Sequence, residues 1–199
     1  MGLPEVVCID GVVGVGKSTV IDKLAHKLRS IGLSVHVIHE YIDVLDDAGD
    51  MLQKYLHHEI AAVDFQDYIL RYYDRSSMLI GEYDYVLVDR CPIVGLKFFG
   101  GLDVVNGRMS EYDYDQLMDY ATSLTFYPDD TVTYCVDTTG LCSDDVVDVC
   151  YKLIATDKPH VIKLTATPSA ILHRIQHRNR AGEIEAYDKQ YIQHMIDNY

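Results

Sequence analysis

Short β-branched apolar runs alternate along this chain with segments whose apolar residues recur at helical spacing. The apolar runs predict strands at residues 5–9, 34–39, 85–88, 131–136 and 160–164. The helical spacing predicts helices at residues 17–30, 50–58, 59–80, 110–124 and 143–155, and two more over 168–199 that are broken near Ala181-Gly182. Strands that are apolar throughout are typical of a parallel sheet buried on both faces. The pattern therefore predicts an α/β fold of three layers, a five-stranded parallel sheet covered by helices, as a single domain over residues 1–199.

The loop after the first predicted strand has the pattern G-x-x-x-x-G-K-[ST] between Gly11 and Ser18. Glycines allow backbone N–H groups to turn toward a polyphosphate, and the helix that follows points its positive end at the same place. We expect Lys17 to reach the β- and γ-phosphates of ATP and the Ser18 hydroxyl to hold Mg²⁺. A purely structural glycine turn gives no reason for Lys17 and Ser18. The predicted phosphate-binding residues are Gly11, Gly14, Val15, Gly16, Lys17, Ser18 and Thr19.

Charged residues follow two further strands at the ends where such sheets bind ligands, so we expect them to lie beside the glycine loop. Asp89 is a candidate ligand for Mg²⁺, and the alternative is a cap for the next helix. Arg90 is suited to a substrate hydroxyl or phosphate, and an ion pair with Glu40 is compatible with that role. Glu40 is a candidate base for an attacking hydroxyl.

A basic cluster near the end of the chain comprises Arg174, Arg178 and Arg180. Arginines brought over the γ-phosphate neutralise the charge that spreads over its oxygens in the transition state. Gly182 suggests the hinge of a lid at about residues 174–186. The alternatives are a solvated helix face for the arginines and a helix cap for Gly182.

Overall charge restricts the partners of this protein. The formal net charge is −14 and the isoelectric point is about 4.8, which argues against nucleic acid or a membrane surface as a partner. The five cysteines are scattered without metal-ligand spacing, which predicts reduced thiols, no zinc site and a cytoplasmic location. No segment reaches the roughly 18 apolar residues of a membrane span.

The motifs taken together resemble those of the deoxyribonucleoside kinase family, in particular the herpesvirus-type thymidine kinases. The resemblance covers residues 5 to about 185. The segments that carry it are the glycine loop, Glu40, Phe65-Gln66, Asp89-Arg90-Cys91-Pro92-Ile93, and Arg178-Asn179-Arg180-Ala181-Gly182-Glu183, which is similar to that family's Arg-x-Arg-Pro-Gly-Glu.

This resemblance implies a kinase that transfers the γ-phosphate of ATP, with Mg²⁺, to the 5′-hydroxyl of a pyrimidine deoxynucleoside, and thymidine is the expected acceptor. It implies that Glu40 is the base, that Arg90 stabilises the 5′-hydroxyl, and that Arg174, Arg178 and Arg180 are lid arginines. It also implies a homodimer, within the host cell if the source is viral. The implied nucleoside-binding residues are Gln66 for the nucleobase, Phe65 and Phe99 for aromatic surface around it, and Tyr55 and Glu183 for the 3′-hydroxyl. Without the resemblance, Phe65 and Phe99 would be assigned to the core and Tyr55 to the surface.

The chain departs from the family pattern at several positions. Cys91 and Ala181 replace the usual His and Pro, and Asp103 lies near a position where the herpesvirus type often has a base-contacting Arg. An additional strand and helix at 131–157 precede the strand that leads into the lid. The family's strand order, 2-3-1-4-5, is therefore expected to be filled in a different sequence.

Two other functions compete with this prediction. Tyr73-Asp74-Arg75 followed by Asp89-Arg90 also resembles the arginine motifs of thymidylate kinases, in which case the acceptor is dTMP and Arg75 binds it. A non-catalytic nucleotide switch of the GTPase kind would need an Asn-Lys-x-Asp motif, which this sequence lacks.

Overall fold

The structure, a computed structural model, describes residues 4–78, 81, 83–124, 132–178 and 189–198. Its strands are β1 (Glu5–Asp10), β2 (Val35–Ile38), β3 (Tyr85–Asp89), β4 (Thr133–Asp137) and β5 (Val161–Thr165). Its helices are α1 (Lys17–Ser30), α2 (Tyr41–Val44), α3 (Ala48–Leu56), α4 (Ala62–Ser77), α5 (Pro92–Val105), α6 (Glu111–Ser123), α7 (Ser143–Asp157), α8 (Pro168–Arg178) and α9 (Lys189–Asn198). Each predicted strand is present. The predicted break near Ala181-Gly182 lies outside the described residues.

The strands form one parallel sheet in the order β2-β3-β1-β5-β4. β1 lies at its centre, where Ile9 pairs with Asp89 on one side and with Ile162 on the other. The strand that precedes the predicted lid, β5, lies next to β1, and β4 takes the edge. The prediction that strands fill the sheet in a different chain order from the family's 2-3-1-4-5 is therefore confirmed. All the loops that follow the strands meet at one edge of the sheet.

Alternate residues of each central strand enter different halves of the core, which produces the three layers. On one face, Ile9 and Ile162 pack with Leu24 of α1 and Ile154 of α7. On the other face, Cys8 and Val88 belong to a second cluster that includes buried residues of α4, α5 and α6. No helix within the described ranges is long and apolar enough to cross a membrane.

Helix α5 was not predicted from the sequence pattern. Pro92 begins it at the position where a helix tolerates proline best, but the helix is apolar almost all round and includes three glycines, so it has no clear amphipathic period. At Gly100 an added Cβ would lie 3.2 Å from the ring of Tyr114 on α6. That glycine allows close packing of the two helices, and α5 in turn brings Phe99 and Asp103 to the site.

Candidate active site

Glycine is required at several positions of the loop between β1 and α1. Gly11, Gly14 and Gly16 have φ angles of 138°, 74° and 107°, which side-chain-bearing residues rarely adopt. An added Cβ at Gly14 would also lie 2.6 Å from Ile175 of α8. The Lys17 ammonium donates to the carbonyl oxygens of Gly11 and Val12, at 3.2 and 3.4 Å. Burial, with a contribution from nearby Arg90, lowers the pKa of Lys17.

Asp89 and Ser18 lie side by side at the start of α1. The Ser18 hydroxyl donates to Asp89 Oδ2 at 2.7 Å. Asp89 is fully buried, and among the described residues its Oδ1 is the one buried side-chain oxygen or nitrogen without a hydrogen-bond partner. Burial raises the pKa of Asp89, although Lys17 opposes this. An unsatisfied carboxylate oxygen beside a hydroxyl has the chemistry that Mg²⁺ prefers, and the N-cap of α5 is Cys91 rather than Asp89.

Arg90 and Glu40 form an ion pair at the end of the sheet. Arg90 Nε donates to Glu40 Oε1 at 2.8 Å, and the two side chains are only 10% and 18% exposed. Arg90 has a φ of 71°, a conformation that costs a non-glycine residue free energy and is often found at functional sites. The ion pair between Arg90 and Glu40 that the sequence suggested is therefore present. It holds the guanidinium group beside the carboxylate.

Two residues that hold this geometry were not predicted from the sequence. Asp10 accepts from the Gly11 amide at 2.7 Å and from the Cys91 amide at 3.1 Å, so it joins the glycine loop to the start of α5. The Tyr73 hydroxyl donates to the Asp89 carbonyl at 2.7 Å. The acidic residue directly before the first loop glycine was the available signal for Asp10. No sequence signal indicated the Tyr73 contact.

A single cavity of about 880 Å³ extends from the glycine loop to α3, α4 and α5. Most of the predicted site residues within the described ranges line it even though they lie far apart in the sequence, whereas Gly11 and Asp89 do not line it. Those that line it are Gly14, Val15, Gly16, Lys17, Ser18, Thr19, Glu40, Tyr55, Phe65, Gln66, Arg90, Phe99 and Arg174. The functional roles that the resemblance implies for these residues stay predictions.

Aromatic side chains form the end of the cavity away from the glycine loop. The rings of Tyr55 and Phe65 stack with centroids 4.3 Å apart and an interplanar angle of 14°. Phe65 is buried and belongs to the core as well as to the cavity wall. The Phe99 ring centroid lies 5.6 Å from the Arg90 guanidinium carbon. Tyr55 is a part of the cavity rather than a simple surface tyrosine.

A buried polar network lies against these rings. The Tyr55 hydroxyl is 2.9 Å from each carboxylate oxygen of Asp103. Burial raises the pKa of Asp103, although Tyr55, Arg108 and Gln66 oppose this. Arg108 donates to the Tyr55 carbonyl at 2.9 Å and lies 3.5 Å from Asp103. In the sequence, Asp103 stood out only as a departure from a family pattern, and Arg108 was not predicted.

The predicted arginine cluster is described only in part. Arg174 donates to the Val15 carbonyl at 2.7 Å and to the hydroxyl and carbonyl of Thr138, at 3.0 and 3.1 Å, so it ties the glycine loop to the end of β4. Arg178 ends α8 and its side chain is not described, while Arg180 and Glu183 lie outside the described residues. A transition-state role for these arginines stays a prediction.

These features define a P-loop kinase: a glycine loop, a partly buried Ser-Asp pair and a Glu-Arg pair at one end of a parallel sheet. A family model described as deoxynucleoside kinase matches residues 7–139, which is more than half of the chain. The chain belongs to the deoxynucleoside kinase family and is an ATP-dependent nucleoside kinase.

A solved structure of deoxyadenosine kinase from M. mycoides with bound dATP is also similar. It shares 16% identity with a TM-score of 0.58, and the alignment covers 98% of this chain and 81% of that one. At this identity the likeness establishes the fold. A comparison with curated protein sequences found no match.

Proposed function

We propose that this protein transfers the γ-phosphate of ATP to the 5′-hydroxyl of a deoxynucleoside, which gives a deoxynucleoside 5′-monophosphate and ADP. The observation that carries the proposal is the Glu40–Arg90 pair, in the same cavity as the glycine loop. A carboxylate can accept the proton of the attacking hydroxyl, and a guanidinium can hold that hydroxyl in place.

The glycine loop positions the donor. Its backbone N–H groups and Lys17 bind the phosphates, and Arg174 fixes the loop through the Val15 carbonyl. Ser18 and Asp89 would hold Mg²⁺, which neutralises phosphate charge when bound. The hydrogen bonds of Asp10 hold the glycine loop and the segment around Arg90 in a fixed relative position. A fixed position of this kind favours in-line transfer of the phosphate.

The aromatic end of the cavity receives the nucleoside. Gln66 offers a donor and an acceptor to a nucleobase, and Tyr55 is suited to the sugar 3′-hydroxyl. The Tyr55 hydroxyl proton is directed to Asp103, so Tyr55 would accept a hydrogen bond from the sugar. Thymidine is the acceptor that the herpesvirus-type resemblance predicts.

Two observations disfavour a monophosphate as the acceptor. Arg75, which the thymidylate kinase alternative requires at the substrate, is exposed in the last turn of α4 and is not among the described residues that line the cavity. Arg90 is already paired with Glu40, so the phosphate of dTMP would meet a carboxylate as well as a cation.

A coupled ADP-release assay tests the proposal with thymidine, deoxycytidine, deoxyadenosine, deoxyguanosine and dTMP as acceptors. We expect turnover with at least one deoxynucleoside and none with dTMP. Lys17→Met serves as the control for ATP use by a contaminant. Turnover of dTMP alone would replace the proposal with a monophosphate kinase.

A further inference from the structure

Two histidines lie one turn apart on the outer face of helix α8. His173 and His177 are both exposed, and residues four positions apart share one face of a helix. The inner face of α8 is buried through Ile171 and Ile175. Neither histidine is among the described residues that line the cavity, so phosphate transfer does not account for this pair.

The two imidazole rings are directed at each other. The Nε2 atoms of His173 and His177 are 3.0 Å apart, and the ring centroids are 4.3 Å apart. One of these nitrogens must carry the proton that the other accepts, because a neutral imidazole has one donor nitrogen and one acceptor nitrogen. A metal ion can take the place of that proton and accept a lone pair from each ring. Two histidines at this spacing also bind zinc on the helix of the H-E-x-x-H motif.

The separation of the two nitrogens indicates which kind of ion fits. Metal–imidazole bonds are about 2.0–2.1 Å long. Two nitrogens 3.0 Å apart then subtend an angle of about 95° at the metal, which is close to that between adjacent ligands of a tetragonal site and smaller than the tetrahedral angle. Tetragonal coordination is typical of Cu²⁺ and Ni²⁺. Mg²⁺ prefers oxygen ligands, so the pair differs in chemistry from Ser18 and Asp89.

We propose that His173 and His177 form a binding site for a divalent transition-metal ion, which holds Cu²⁺ more tightly than Ni²⁺ or Zn²⁺. Within the described ranges, no group of three or more His, Cys, Asp or Glu side chains is placed to hold a metal ion. The protein therefore supplies two ligands at this site and water supplies the others. This inference goes beyond the proposed function and does not depend on it.

A metal ion at this site would stabilise the helix that supports the glycine loop. It would join two residues of the last turns of α8, which ends at Arg178. On the inner face of the same helix, Arg174 donates to the Val15 carbonyl at 2.7 Å. Ile175 lies so close to Gly14 that an added Cβ there would be 2.6 Å away. Because the ion binds the folded helix, it should raise the stability of the protein.

Calorimetric titration of the untagged protein with Ni²⁺ tests the site, and Ni²⁺ is chosen because it does not oxidise thiols as Cu²⁺ does. His173→Gln and His177→Gln each remove one ligand and keep a residue that favours helix. Loss of an outer-shell partner alone weakens metal binding by about tenfold or more. We therefore expect each variant to bind Ni²⁺ at least that much more weakly than the wild type. The matched control is His26→Gln, at an exposed histidine of α1, which should bind as the wild type does.

Thermal unfolding provides a second measurement and shows whether each variant is folded without metal. With Mg²⁺ in excess, Ni²⁺ should raise the melting temperature of the wild type and of His26→Gln more than that of the two α8 variants. Equal Ni²⁺ affinity in all four proteins, or displacement of Ni²⁺ by Mg²⁺, would overturn the inference. Neither measurement contains ATP or a nucleoside, so the result is separate from the test of the proposed function.

Discussion

At the scale of single residues, the Asp89 carboxylate is a group that destabilises the ligand-free protein. Its carboxylate is fully buried, and one oxygen lacks a hydrogen-bond partner among the described residues. Such an oxygen costs free energy in the ligand-free protein. Such a cost is expected at a site where a charged group is positioned to bind a ligand, because the ligand then supplies the missing partner.

Replacing Asp89 by Asn should raise the stability of the ligand-free protein at neutral pH. Burial raises the pKa of Asp89, so the folded protein loses stability as the pH rises through the ordinary carboxyl pKa toward the raised one. Asn removes that loss, which predicts a gain of about 1 kcal/mol, or ~2–4 °C in melting temperature. The gain should disappear below about pH 4, where the carboxyl is protonated in both states.

Thermal unfolding of Asp89→Asn at several pH values measures this effect, and Asp115→Asn on the exposed side of α6 is the control. The stabilisation of Asp89→Asn by ATP with Mg²⁺ should be weaker than that of the wild type, since the proposed Mg²⁺ ligand is lost. A fall in the neutral-pH melting temperature without ligand would mean that the buried carboxylate stabilises the fold.

The substitution Glu40→Gln tests whether Glu40 is the base that accepts the proton of the attacking hydroxyl. Glutamine keeps the size of the side chain and can still accept from Arg90 Nε, but it cannot take the proton of a hydroxyl. We expect kcat to fall by about 10²-fold or more while ATP binding is retained. Steady-state kinetics and ATP titration measure the two quantities, with Glu111→Gln at the exposed start of α6 as the control. Unchanged turnover would remove Glu40 from this role.

At the scale of secondary-structure elements, the strands and the glycine loop could be predicted because local signals define them. A β-branched run followed by Gly11 to Ser18 needs no tertiary information. The helix predicted over residues 110–124 is also present, and the Ser110 hydroxyl caps it by accepting from the Asp113 amide at 3.0 Å. Helix α5 could not be predicted in the same way, because it is buried on most sides and lacks polar residues that would mark an outer face.

The glycines of α5 give a test of its packing. Gly101 has open space where a Cβ would be, whereas a Cβ at Gly100 would lie 2.8 Å from Leu96 and 3.2 Å from Tyr114. Gly101→Ala should stabilise the protein by about 0.5–1 kcal/mol through helix propensity. Gly100→Ala should gain nothing or lose stability, because the close contact offsets the propensity. Urea denaturation of the two variants measures the difference, and equal gains would contradict the packing of α5 on α6.

At the scale of the whole molecule, the predicted convergence at one edge of the sheet followed from topology. Parallel strands bring Glu40, Asp89 and the glycine loop together wherever they lie in the sequence. The partners within the site could not be predicted, because the Tyr55 hydroxyl meets Asp103 only after α3 and α5 have packed. Long-range contacts of this kind leave no periodic signal in the sequence.

The overall charge of −14 contrasts with the cations in the cavity. Lys17, Arg90 and Arg174 line it, so an anionic donor is attracted locally by a protein that repels polyanions in general. The expectation that nucleic acid is not a partner stays a prediction. The homodimer implied by the resemblance stays a prediction, which sedimentation of the purified protein would test.

We propose that ATP and a nucleoside bind in the same cavity, where phosphate passes from ATP to the nucleoside hydroxyl. The most direct test is product analysis by chromatography and mass spectrometry, after incubation with γ-¹⁸O-labelled ATP, Mg²⁺, the common deoxynucleosides and dTMP. We expect labelled deoxynucleoside 5′-monophosphates and no labelled dTDP. Label found only in dTDP or only in inorganic phosphate would contradict it.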